Sequence, residues 1–147
     1  MNNEQNLTIR EATIFVIEQS FEGFEVLKDS ILVAATAFEE DNNTTAVELI
    51  NEKVSPAVAD LCRFCGTLQL YYSDVIGEEL AIKFTEKLSD MEKNMNEMIN
   101  FLDEENFVDC ADILRYDFTT NIDNLAELFP AIKEAFKKSS RTDLDQS

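Results

Sequence analysis

FEEDNN, residues 38–43, and LDEENF, residues 102–107, are two short acidic stretches 64 positions apart, each set between long runs of helical periodicity. On the N-terminal side of the first, Ala12, Phe15, Ile17, Phe21, Phe24, Leu27, Ile31, Ala34, Ala35 and Phe38 recur at the spacing of one long helix from Thr8, with a bend expected at Gly23. Beyond it, Thr44 or Thr45 is placed to cap a second helix, with Glu48 completing a capping box. That helix carries Ala46, Leu49, Ile50, Val54, Val58, Leu61, Phe64, Cys65, Leu68 and Tyr72, and Pro56 predicts a kink within it. Ser73 or Asp74 then offers a cap for a third helix running from Leu80 to Leu102. A fourth runs from Cys110 to Phe136, and KKSSRTDLDQS is expected to fray.

Sliding the chain by 64 residues lays the first pair of helical patterns over the second. Leu27 falls on Met91, Ala34 on Met98, Ala46 on Cys110, Ile50 on Leu114, Val54 on Phe118 and Val58 on Ile122. Few identities accompany the pattern, so duplication and a coincidence of two similar hairpins both produce it. Either way the expectation is an all-α fold, an antiparallel four-helix bundle built from two helical hairpins. One domain over 8–138 is expected, with residues 1–7 and 139–147 disordered. Only three glycines and two prolines punctuate the 147 residues, too few for the turns of a β-rich chain.

Composition removes several functions. The 30 acidic and 12 basic residues leave a net charge of −18, which repels nucleic-acid phosphates and anionic membrane surfaces and attracts basic partners. No run approaches the length of a membrane helix, and MNNEQN lacks the basic-then-apolar order of a secretion signal, so a cytoplasmic protein is expected. The chain contains no histidine, so neither serine–histidine nor cysteine–histidine catalysis can be assembled within it. No catalytic residue, cofactor or metal ligand set is assigned. EEDNNTT and DEENFVD lack the central glycine and alternating ligands of a calcium loop.

CRFC, residues 62–65, lies inside a helical pattern rather than at a helix start after a strand, so its thiols are expected to be buried and inert. DCADILRYDF, residues 109–118, reads as a solvated acidic helix face, and Met91, Met95 and Met98 as core filling that would equally suit an adaptable groove. Glu39, Glu40, Asp41, Asp103, Glu104 and Glu105 are expected to gather at one end of the bundle. At the other end ATIFVI and LQLYY carry more apolar residues than one face absorbs, making Ile14, Phe15, Ile17, Leu70, Tyr71 and Tyr72 candidates for contact with another protein or a second copy of the chain.

DILRYD, residues 112–117, resembles a D-I/L-L-x-Y-D/E stretch of small bacterial all-helical proteins, and the two-hairpin layout is similar to that of flagellar export chaperones. The second resemblance implies a bundle holding an amphipathic segment of a partner in an apolar groove. The functional expectation is a non-enzymatic interaction or chaperone-like module. The alternative is an acidic decoy that imitates DNA and occupies a basic nucleic-acid-binding protein.

Overall fold

The computed structural model describes residues 6–147, and they form an all-α protein with no strand among them. Helix α1 (Ile9–Glu39) begins at a capping box: the Thr8 hydroxyl accepts from the Glu11 amide at 3.0 Å and the Glu11 carboxylate accepts from the Thr8 amide at 3.2 Å. It continues for 31 residues through Gly23 without a break. After it come α2 (Asn43–Leu49), a π-helical turn (Ile50–Val54), α3 (Ser55–Tyr71), the single turn α4 (Ser73–Ile76) and α5 (Glu78–Asp103). The remainder is α6 (Phe107–Asp112), a second π-helical turn (Ile113–Phe118), α7 (Thr119–Ala126), α8 (Phe129–Lys138) and a 3₁₀ turn (Thr142–Asp145).

The two acidic stretches have the same backbone. The amide of Asn42 donates to the Ala37 carbonyl at 2.8 Å and that of Asp41 to the Phe38 carbonyl at 3.2 Å. Sixty-four residues on, Asn106 donates to Phe101 at 2.8 Å and Glu105 to Leu102 at 3.1 Å. Each is a Schellman motif, whose left-handed residue satisfies carbonyls that the helix end leaves open. That residue is Asp41 (φ 60°) in one and Glu105 (φ 54°) in the other. Asn42 and Asn106 then stand at the N-caps of the next helices, so the caps expected at Thr44 or Thr45 lie inside α2 instead.

The π turns also correspond. Ala46, Ile50, Val54 and Val58 are all buried, as are Cys110, Leu114, Phe118 and Ile122, in two series of three consecutive four-residue steps. In a regular α-helix each such step drifts by about 40°, so three would carry the stripe about 120° off the core. A wider π turn absorbs the drift and keeps all four residues inward. The irregularity expected at Pro56 is the π turn that ends just before it, and the second π turn forms without a proline, so proline is not required for it. The fourth helix expected as one piece is broken at Glu127–Leu128, because Pro130 has no amide to give the Ala126 carbonyl, and α8 restarts with proline in its first turn. Likewise Gly77 (φ 89°), rather than Ser73 or Asp74, precedes the long helix α5.

Phe129 holds the middle of the core, edge-on to Phe24 at 4.9 Å between centroids and within 6.2 Å of both Phe64 and Phe84. The tail does not fray as expected. Leu144 is fully buried, Ile9 donates its amide to the Gln146 carbonyl at 2.9 Å, and Arg10 pairs with Asp145 at 3.0 Å. Arg141 lies 4.9 Å above the Tyr72 ring, donates to the Tyr71 carbonyl at 2.8 Å and pairs with Asp74 and Asp143. Burying one leucine and satisfying a guanidinium order a segment whose polarity alone suggested mobility. Of the disorder expected for residues 1–7, positions 1–5 lie outside the described residues.

Candidate functional site

The six apolar candidates separate into two groups. Ile17 is fully buried, Ile14 and Tyr72 pack against the core, and Tyr72 meets Phe136 edge-on at 5.5 Å. Phe15, Leu70 and Tyr71 are 56%, 72% and 61% exposed. ATIFVI and LQLYY therefore each divide between an inward and an outward face, and the expected continuous patch of six is not formed.

The acidic end is assembled. Phe38 stacks on Phe107 with centroids 5.6 Å apart, which sets the two Schellman turns side by side and brings Glu39, Glu40 and Asp41 near Asp103, Glu104 and Glu105. Glu39 is engaged within the fold, accepting two hydrogen bonds from Arg115 at 2.6 and 3.0 Å. Arg115 also donates to the Thr36 hydroxyl. The DILRYD stretch coincides with the second π turn: Ile113 and Leu114 face the core, Arg115 reaches α1 and Tyr116 is exposed. Asp109, Asp112 and Asp117 line a shallow depression with Glu97, Phe101 and Tyr116, the Asp109 carboxylate accepting from Asn106 at 2.6 Å. Among the described residues no group of three or more acidic or thiol side chains is arranged to hold a metal ion.

CRFC divides as well. Cys65 is fully buried and burial pushes its thiol far up, whereas Cys62 is exposed. The Cys62 pKa is raised by partial burial and, secondarily, by the Glu92 carboxylate. Cys110, also buried, is pushed up to about 11.

Cys62 leads to a groove beside α3. Helix α3 stands away from both neighbours. Between α3 and α5 lies a groove of about 540 Å³ lined by Val58, Cys62, Gln69, Thr85, Leu88, Ser89, Met91, Glu92 and Met95. On its other side, against α1, a groove of about 320 Å³ is lined by Val16, Gln19, Ser20, Gly23, Phe24, Leu27, Ala57, Asp60, Leu61 and Phe64. A neighbouring depression of about 400 Å³ continues it past Val26 and Lys53.

The second half of the chain explains why these gaps exist. At the positions 64 residues after Ser20, Gly23 and Ala57 stand Phe84, Lys87 and Asn121. Phe84 is fully buried, and Asn121 donates an amide hydrogen bond to the nearly buried Asn94. Large side chains thus close the α5–α7 contact where small ones leave α1–α3 open. Lys28 ties α1 to α7 through Asp123 at 2.7 Å, and Lys133 ties α8 to α1 through Glu18 at 3.1 Å. The residues 64 away from these four are Glu92, Ala59, Gln69 and Ile82, which form no ion pair. One hydrogen bond, from Gln69 to the Thr85 hydroxyl at 2.7 Å, spans the α3–α5 groove. This difference in side-chain volume was visible in the sequence, whereas its result, a helix held away from its neighbours, was not.

Searches of family models, of curated proteins and of solved structures return no match to this chain.

Proposed function

We propose that the chain is a non-enzymatic helical interaction module that holds an apolar segment of another protein beside α3. The observation supporting this is the standing-off of α3, which leaves Leu61, Phe64, Leu88 and Met95 only partly covered along two grooves. Apolar surface left uncovered in a continuous groove is the usual form of a helix-binding site, and thioether side chains adapt to varied occupants. The similarity of layout to flagellar export chaperones points the same way. In this reading the architecture is an antiparallel four-helix bundle of two hairpins produced by duplication, supported by matching Schellman turns and π turns at an offset of 64. The free thiols suit a reducing, cytoplasmic setting.

The acidic decoy is retained as a second reading because the two acidic turns lie side by side, with Glu40, Asp41, Asp103, Glu104 and Glu105 outside any ion pair among the described residues. Salt separates the two. Immobilised chain exposed to nuclease-treated lysate and washed at about 0.1 M and about 1 M salt should retain a partner at both, because apolar contact is not screened. Leu61→Glu or Met95→Glu should lose that partner, and Val108→Glu, a substitution at an exposed site in α6, should keep it. Retention of basic nucleic-acid-binding proteins that leave at high salt, unaffected by either groove substitution, supports the decoy and ends the groove reading.

A further inference from the structure

Resting on the groove reading, we infer that the α3–α5 groove takes a cationic amphipathic helix of a partner protein, its apolar side between Val58, Leu88 and Met95 and its basic residues toward Glu92. Two independent observations specify this occupant. The first is chemical: apart from Gln69, Thr85, Ser89 and the Glu92 carboxylate, the lining is aliphatic or sulfur-bearing, and Met91 and Met95 together give a floor that reshapes around inserted side chains.

The second is charge. Nine of the twelve basic residues already stand in ion pairs, leaving Lys53, Lys87 and Lys138 without one among the described residues. The net charge of −18 is therefore carried by carboxylates with no cation of this chain to meet. Glu92 is one of them, and it stands at the groove edge near enough to Cys62 to raise the thiol's pKa. At the corresponding place on α1, 64 residues earlier, stands a cation, Lys28, satisfied by Asp123 of α7. The α3–α5 groove thus has a carboxylate where its closed counterpart has a lysine, and an incoming lysine or arginine would supply the missing partner. A second copy of this chain would bring another −18 to the same place and is disfavoured by that repulsion. A helix is the matching shape because a furrow between two helices accepts a third by interdigitation of side chains.

Cys62 provides the readout, since it is exposed in the groove while Cys65 and Cys110 are buried. The probe is a synthetic leucine–lysine peptide with leucines at helical spacing, compared with a peptide of identical composition in scrambled order. The patterned peptide should slow modification of Cys62 by an aromatic disulfide reagent by about tenfold at saturation, and the scrambled peptide should not. Leu88→Glu should weaken protection about tenfold with unchanged helicity, and Glu92→Lys should weaken it most at low salt. Equal protection by both peptides, reflecting net charge alone, would overturn the assignment. So would protection without any peptide that rises with protein concentration, the mark of a second copy. Binding of the patterned peptide that is lost in Leu61→Glu but intact in Leu88→Glu moves the site to the α1–α3 groove, overturning this inference while leaving the groove reading in place. No binding of the patterned peptide by the wild type, together with partner loss at high salt, ends both.

Discussion

At the scale of single residues, the thiol of Cys62 and the side chain of Leu144 are the sharpest tests. Partial burial and then the Glu92 carboxylate raise the Cys62 pKa, and only the thiolate reacts with disulfide reagents. Glu92→Gln removes the like charge, lowers the pKa and enlarges the thiolate fraction, so labelling near pH 8 should quicken by roughly twofold. Stopped-flow labelling checks this, and an unchanged or slower rate would sink it. Leu144 is fully buried where the tail docks beside the start of α1, so Leu144→Ala should cost about 2–4 kcal/mol in urea unfolding. Loss of well under 1 kcal/mol would mean that the tail is not docked in solution. Sequence pattern groups Cys62 with Cys65 as buried, inert thiols, because spacing within a helix does not say which of the two faces outward, and it passes over Leu144. Leu144 stands alone among polar residues, and a lone apolar residue has no periodicity by which to be recognised.

At the scale of elements, the left-handed residues of the two Schellman turns carry strain that glycine, lacking a Cβ, would relieve. Asp41 at φ 60° and Glu105 at φ 54° occupy a region where glycine has no steric penalty. Asp41→Gly and Glu105→Gly should each stabilise the protein by about 0.5–1 kcal/mol, the smaller gain reflecting glycine's extra freedom in the unfolded chain. Denaturant midpoints measure this, and destabilisation by both would contradict the turn geometry. The turns were legible in the sequence because acidic and asparagine residues interrupt two strong periodicities at the same offset. The caps were misread because Thr44 and Thr45 are good N-cap residues in isolation, while the Schellman bonds already commit Asn42 to the first position. The π turns left a signal in the succession Ala46, Ile50, Val54, Val58, but steps of four are read as helix unless their accumulated rotation is followed. The apolar candidates divided between core and surface for a related reason. Local excess of hydrophobic residues does not say which of them face inward, and Ile17 and Tyr72 were claimed by the core.

At the scale of the whole molecule, the surplus of negative charge opposes compactness as well as attracting cations. Raising ionic strength from about 20 mM to about 200 mM should raise the melting temperature by several degrees, because screening weakens repulsion among exposed carboxylates more than it weakens the cross-helix ion pairs. A scanning calorimeter decides it, and a falling melting temperature would place the balance with the ion pairs. All-helical architecture was legible from composition and periodicity, while the open sides of α3 depend on how far one helix stands from two others. The brief connection through Tyr72–Gly77 has a different consequence. The helices on either side carry matching Schellman turns and π turns and pack against one another, so the same contacts are available between two molecules as within one. If the connection is too short to fold back, two chains trade hairpins and close into an intertwined pair with the native contacts intact. Deleting Asp74 and Val75 should convert the refolded monomer into such a dimer on size-exclusion chromatography, slow to separate on dilution, and a persistent monomer would show that the hairpins do not need this link to find each other. On this expectation the length of six residues, as much as any side chain in the core, sets whether the two halves meet within one molecule or between two.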